Sequence, residues 1–378
     1  MRVQEALSDI SALSGGYDWK CAVAEHKKGS VRRKSSNVQK PASIYDVAAF
    51  AHVSAKTVSM VVNGLPGVRD TTHKRVMEAV ETLSYRPNVF ARGLVNEGSV
   101  MLGLLCDVPA AGSGYIARIQ LGILTICHRK GYHLIVECLH TDNPNIDRQV
   151  HSLVAESRLT GVILTPPLSD YQELIDALKA THTSIARIAP ERPAQGLVDV
   201  QIDNRKASYE MTAYLIGLGH KRIGFIKGPA DHGDAIARFD GYRAALADAE
   251  LPYLQELCVE GLFTYKTGMQ AGDRLLALKE RPTAIFASND DMAAAVIATS
   301  LRFNLRVPGD LSVAGFDDSL FAQAVWPRLT TCRQPIEEMA EAVVSMLIQR
   351  RPESTPRELI LKHTLIVRGS TAPPGMTK

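Results

Sequence analysis

The sequence predicts an α/β chain in which a short all-α helix-turn-helix headpiece precedes a larger core of two lobes, each a doubly wound parallel sheet. Three observations carry this expectation. Two short helices with small apolar faces meet across a tight turn between Ile44 and Val62. From Val100 onward, short continuous apolar runs alternate with amphipathic helical stretches, as in parallel strands covered on both faces. The alternation comes in two sets, which argues for two lobes. With 378 residues, 46% of them hydrophobic, the chain is long enough for two or three domains with a sizeable core.

The run SIYDVAAFAHVSAKTVSMVVNG predicts a first helix over Ile44–Ala51, with Val47, Ala48 and Ala51 on one small apolar face. The turn His52-Val53-Ser54 follows, and Ser54 is placed to N-cap a second helix that starts at Ala55. Small side chains at Ala48 and Ala51 let the helices approach closely, with Val53, Val58 and Val62 filling the seam. This spacing is that of a helix-turn-helix, whose second helix carries side chains to base edges. Packing takes Thr57, Val58, Val61 and Val62 and leaves Ala55, Lys56, Ser59 and Met60 outward. Lys56 suits guanine O6 and N7, Ala55 and Met60 suit a thymine methyl, and Ser54, Thr57 and Ser59 suit phosphate oxygens. An ordinary amphipathic helix pair is the plainer alternative, and the continuation TTHKRVMEAVETLSYRPNVFARGL argues against it.

Strands are expected at Val100–Cys106, His133–Glu137, Gly161–Thr165 and Ser184–Ile188 in a first lobe. A second set, at Val198–Ile202, Arg222–Ile226, Thr283–Ala287 and Leu311–Phe316, is expected to build a second lobe. Helices are expected between them at Ile116–Arg129, Tyr171–Ala180, Tyr209–Leu218, Ala235–Ala249 and Asp291–Phe303.

Charge does not point to nucleic acid. The net charge is +3, and Ser43–Gly98 holds six Lys and Arg against five Asp and Glu, so any recognition must come from placed side chains. Residues 20–40 differ, with seven Lys and Arg against the single acid Glu25 and little periodic apolar content; they read as a disordered basic arm. No apolar stretch there is long enough for a signal peptide or a membrane span. The cysteines Cys21, Cys106, Cys127, Cys138, Cys258 and Cys332 are scattered without metal-ligand spacing. They read as free thiols in a reducing, cytoplasmic compartment.

Several motifs together resemble the lactose-repressor (LacI/GalR) family of bacterial transcription regulators. They are Ile44-Tyr45-Asp46-Val47-Ala48, Val53-Ser54, Thr57-Val58-Ser59, Val62-Asn63, Tyr85-Arg86-Pro87-Asn88 and Ala91-Arg92-Gly93-Leu94. The resemblance runs from Ser43 to about Pro374. It implies a periplasmic-binding-protein-like core, double-stranded pseudo-palindromic operator DNA and a small-molecule effector as partners, and a homodimer. It also implies a DNA-binding headpiece at 41–86, a hinge at 87–97 and a core at 98–372, preceded by the basic extension 1–40. The two lobes would be 98–197 with 328–350, and 198–327 with 351–372. By the resemblance, Tyr45, Asn63, Asn88, Ala91, Arg92 and Leu94 join the headpiece residues above in contacting DNA, with Leu94 as an apolar wedge in the minor groove. Met60 stands where the family often carries Arg or His, which implies a different operator preference. Family chains begin near Pro41, so the basic arm reads either as added phosphate attraction or as an upstream-start artefact.

In open parallel sheets, ligands bind beyond the carboxyl ends of the strands. Thr165, Arg187, Asn289 and Asp317 end or follow predicted strands, Arg238 starts a helix after one, and Phe263 precedes a helix. Two guanidiniums, a carboxylate, two neutral polar groups and an aromatic face suit a polyhydroxylated ligand, a sugar. The resemblance makes Arg238, Phe263, Asn289 and Asp317 effector contacts. Asn289 and Asp203 are equally placed to N-cap helices. No nucleophile elbow, metal-ligand cluster or Gly-rich phosphate loop is present, so neither catalysis nor a cofactor is expected. The expected function is a repressor released from its operator by a sugar; the alternative is a purine- or nucleoside-responsive regulator whose ligand promotes DNA binding.

Overall fold

The computed structural model describes residues 42–62, 66–83, 85, 101–107, 114–141, 143–349 and 357–375. The chain divides into two compact units, Met1–Asn88 and Val89–Lys378.

The first unit packs three helices: α1 (Ile44–Phe50), α2 (Ala55–Val62) and α3 (Asp70–Thr82). α1 starts at a capping box, in which the Ser43 hydroxyl accepts from the Asp46 amide and the Asp46 carboxylate accepts from the Ser43 amide at 2.7 Å. Ser54 caps α2 as expected: the Thr57 amide donates to its hydroxyl at 3.1 Å. Val47, Ala48 and Ala51 of the first helix and its turn meet Val58 and Val61 of α2, and α3 closes the core with Val76 and Ala79. Val61 is buried where Val62 is only half-buried, and Ala55, expected outward, packs partly against this core. The reason is rotation: α2 turns its face toward α3 as well as α1, which the two-helix reading left out.

The second unit has a six-stranded and a four-stranded sheet, each wholly parallel. The first runs in the order β11 (Arg357–Leu361), β5 (Val198–Ile202), β4 (Ser184–Ile188), β3 (Gly161–Leu164), β1 (Met101–Asp107) and β2 (His133–Leu139). The second runs β7 (Cys258–Val259), β6 (Ile223–Ile226), β8 (Ala284–Ala287), β9 (Ser312–Ala314). One strand expected in the second lobe and one closing segment assigned to it therefore belong to the first sheet. Val198–Ile202 pairs with β4 in the register Ala186↔Val198, and Arg357–Leu361, expected near the second lobe, pairs with β5. A short apolar run shows that a strand exists but not which neighbour it will pair with. Between the lobes, β10 (Thr331–Arg333) and β12 (Thr364–Ile366) form an antiparallel pair of crossover segments.

Helices cover both faces: α4 (Gly114–Lys130), α5 (Ile146–Ser157), α6 (Gln172–Ala180) and α12 (Ile336–Ile348) lie on the first sheet. α7 (Asn204–Gly217), α8 (Gly233–Asp248), α9 (Tyr265–Leu276), α10 (Asp290–Arg302) and the short α11 (Leu320–Ala324) belong to the second lobe. α12 packs on β3, β4, β5 and β11 of the first sheet. A continuous buried cluster runs from Leu102 and Ile123 through Cys332 and Ile336 to Phe225 and Phe286, tying the lobes through their crossovers. Among the described residues, no helix is long and apolar enough to cross a membrane.

Candidate functional site

A cavity of about 640 Å³ opens between the two lobes, at the carboxyl ends of their strands. The first lobe supplies Asp107 at the end of β1, Tyr115 at the start of α4, Thr141 after β2 and Pro166-Pro167 after β3. The second supplies Asp231, His232, Asp234 and Arg238 around the start of α8, Phe263 and Tyr265 before and in α9, Asn289 before α10, and Asp317 after β9. Its volume falls in the range of small-molecule sites.

Arg238 organises the second-lobe wall. Its side chain is buried; Nε donates to the Asn204 Oδ1 at 2.8 Å and Nη1 to the Ser288 carbonyl at 2.7 Å. Asp234 lies 3.6 Å from Nη2, one helical turn before it, and Asp317 lies 3.9 Å from Nη1. The guanidinium also stacks 3.8 Å above the Phe316 ring and 5.8 Å from that of Phe263. Burial pushes both Asp234 and Asp317 up to about 6, against the pull of Arg238. Burial, with the Arg238 charge beside it, pushes His232 down to about 4 and holds its ring neutral near pH 7. The Tyr115 hydroxyl and His232 Nδ1 are buried in this cleft without a protein partner among the described residues. Buried polar groups left open in this way are what a ligand satisfies.

Of the six residues expected at the ligand site, Arg238, Phe263, Asn289 and Asp317 line the cavity together. Asn289 also caps α10, accepting from the Met292 amide at 3.0 Å while its Nδ2 donates to the Phe263 carbonyl at 2.8 Å. Capping thus holds the aromatic loop in place as well. Arg187 and Thr165 do not line the cavity. Arg187 is paired across the sheet with Asp199, through Nε and Nη2 at 2.8 Å each, and donates to the Ser169 and Arg192 carbonyls. Thr165 is fully buried, with its hydroxyl turned back to the Leu105 carbonyl at 3.3 Å. Thr165 directly follows β3 and Arg187 is the penultimate residue of β4, but their polar groups are consumed inside the first lobe. Asp203 caps α7, accepting from the Lys206 amide at 2.8 Å.

Sequence reasoning missed Tyr115, Asp107, Asp231, His232, Asp234 and Asp291 on the cavity wall. One signal was available: Asp234 and Arg238 are four residues apart in GPADHGDAIARFDGY, so one helical face carries both. Tyr115 gave no such signal, since it opens a first-lobe helix whose partner wall lies more than a hundred residues away.

On the headpiece, Tyr45 is 74% exposed and Lys56 is exposed. Thr57 and Ser59 are half-buried, and Thr57 Oγ1 is 2.9 Å from Ser54 Oγ, so these two hydroxyls engage each other at the start of α2. Met60 is half-buried, with its methyl near Gly67. Asn63, Asn88, Ala91, Arg92 and Leu94 lie outside the described residues.

Residues 43–88 match the description "Bacterial regulatory proteins, lacI family", and residues 212–371 match "Periplasmic binding protein-like domain". The chain is 33% identical over 337 residues to catabolite control protein A of Priestia megaterium, spanning 87% of this chain and 99% of that one. It is 33% identical over 334 residues to the transcriptional repressor PurR of Vibrio cholerae serotype O1 (strain M66-2), spanning 87% and 98%. Among solved structures, the lac repressor dimer bound to operator and the anti-inducer ONPF matches with a TM-score of 0.75 at 26% identity, over 88% of this chain and 100% of that one. The regulator CelR in complex with cellobiose matches at 0.66 and 29% identity, over 87% and 99%. A three-helix headpiece with a capped second helix, a two-lobed core and these full-length similarities lead to one conclusion: the chain belongs to the lacI family of bacterial regulatory proteins.

Proposed function

We propose that this regulator is a homodimeric repressor that leaves its operator when a neutral sugar or sugar derivative fills the interlobe cleft. The observation that carries the ligand class is the charge of the wall. Asp107, Asp231, Asp234, Asp291 and Asp317 face one guanidinium, Arg238. Sugar hydroxyls donate to carboxylates and accept from Arg238, while Phe263 offers a face for C–H groups. A phosphorylated or carboxylated ligand would meet net negative charge. CelR with cellobiose, built on the same two-lobed plan, supports the reading.

The cleft reads as a binding site rather than an active site, and two of its five carboxylates are oriented by neighbouring amides. Asp234 accepts from Asn204 at 2.8 Å and Asp317 from Gln334 at 2.7 Å, each beside Arg238. In our reading the ligand favours a closed arrangement of the lobes and so releases DNA in proportion to its preference for that state. DNA contact falls to Lys56 and its neighbours on α2, and to the hinge at 87–97 with Leu94 as the minor-groove wedge. The lac repressor dimer bound to operator supports both the dimer and the DNA partner. Such a repressor works in the cytoplasm.

The test is calorimetric titration of neutral sugars, sugar phosphates and purine bases. It is followed by gel shifts on sites selected from a random DNA pool. Heat only from neutral sugars, with loss of the shifted band, is the expected result. A purine that binds and strengthens the shifted band would overturn it in favour of a corepressed regulator.

A further inference from the structure

We infer that Cys106 and Cys138 form a reversible oxidation site, a dithiol that hydroperoxides convert to an intrachain disulfide. The two residues are direct partners in the parallel register of β1 and β2, and their sulfurs lie 3.8 Å apart. Neighbouring strands are about 4.8 Å apart, inside the Cα separation of disulfides, and the sulfurs already point toward each other. The pair is asymmetric in access. Cys138 is exposed on β2, the edge strand of the sheet, whereas Cys106 is 1% exposed. Burial pushes the Cys106 thiol up to about 12, with the Cys138 sulfur adding to it, so the exposed Cys138 is the sulfur that a peroxide oxidises first and Cys106, beside it, is the one placed to resolve. Among the described residues, Cys127, Cys258 and Cys332 have no second thiol beside them.

The chemistry follows that asymmetry. The Cys138 thiolate attacks the terminal oxygen of a hydroperoxide, the O–O bond breaks, and the alkoxide leaves as alcohol after taking a proton. Cys138 is then a sulfenic acid. The Cys106 sulfur attacks the Cys138 sulfur and loses its proton, and the S–O bond breaks to release water. In sum, two thiols and one hydroperoxide give one disulfide, one alcohol and one water. Asp107 directly follows Cys106, and Thr141 lies three residues past Cys138; both line the cleft. The bond therefore ties down the first-lobe rim of the cavity.

The experiment treats the full chain with cumene hydroperoxide, alkylates the remaining thiols under denaturing conditions and maps peptides by mass. The expected product joins the Cys106 and Cys138 peptides at 2 Da below their sum, returns to two alkylated thiols with dithiothreitol, and slows amide exchange over 101–107 and 133–139. Cys106→Ser should leave Cys138 as a sulfenic acid that dimedone traps, and Cys138→Ser should leave Cys106 alkylated. Two alkylated thiols in the treated wild type, a dimedone adduct at Cys138 with Cys106 still alkylated, or a Cys138 link between two chains would each overturn the proposal.

Discussion

Arg118 on the first lobe donates from Nη1 to the backbone carbonyl of Asp318 on the second, at 3.2 Å. The same nitrogen is 3.4 Å from the Asp317 carbonyl, and Nη2 pairs with Glu337 at 3.4 Å. A guanidinium thus crosses between the lobes beside a carboxylate that walls the cleft. Charge-assisted bonds of this kind are worth about 1 kcal/mol or somewhat more when partly exposed. Arg118→Ala should therefore weaken ligand affinity roughly five- to tenfold by calorimetry, although Arg118 is no part of the cavity wall. An unchanged affinity would remove Arg118 from lobe coupling.

The raised carboxylates predict a pH dependence. Asp234 and Asp317 ionise at about 6 in the folded chain, above the ordinary 3.8. The folded state holds these protons more tightly, so their stabilising contribution is complete below about pH 4 and is lost as pH rises through about 6. Asp317→Asn should gain thermal stability relative to the wild type as pH rises from 4 to 7, read by parallel melts. Sugar affinity of the wild type should rise over pH 5 to 7 as the carboxylates become acceptors, and the Asn variant should show a flatter profile. Parallel pH curves for the two proteins would count against this assignment.

Arg187 should behave as a structural residue. Its partner Asp199 is equally buried, so Arg187→Met leaves a carboxylate without its counter-charge and should cost about 3–5 kcal/mol in denaturant unfolding. Ligand affinity of the folded fraction should stay within about twofold. A large loss of affinity at unchanged stability would return Arg187 to the binding site.

Gly241 marks the closest approach of α7 and α8. A Cβ there would sit 2.1 Å from the Arg205 carbonyl oxygen and 2.9 Å from the Tyr209 amide nitrogen, both backbone atoms that have nowhere to go. Gly241→Ala should destabilise the second lobe by about 1–3 kcal/mol, despite the better helix propensity of alanine. A melt at or above the wild-type temperature would show that the helices can part.

Two neighbours on the headpiece should separate cleanly. Ser54→Ala removes the cap of α2 and should cost about 1 kcal/mol, visible as faster amide exchange over 55–62. Lys56→Ala touches no cap, and should keep exchange unchanged while relaxing sequence preference in selection from a random DNA pool. Equal loss of affinity on every DNA sequence would reassign Lys56 to phosphate contact.

The legible parts of this protein were those set within a few residues. Ser54 capped the helix that its position in HVSAKT implied, and Asn289 and Asp203 did the same in the core. The harder question was which strand-end polar group reaches the cleft. Arg187 ends a strand and Arg238 sits on the helix after one, and both offered a guanidinium to the cleft, yet one is closed off by Asp199 and the other is aimed at the cavity by Asn204 and the Ser288 carbonyl.

By itself, the sequence determined the plan of an all-α headpiece followed by a two-lobed core, because helical and strand periodicity, caps and short motifs are written in local spacing. Only the tertiary structure decided that Val198–Ile202 and Arg357–Leu361 complete the first sheet and that Tyr115 joins Arg238 across the cleft. It also decided that Arg118 reaches a carbonyl 200 residues away. Pairing partners and cavity walls depend on contacts between distant segments, whose competition no local pattern encodes.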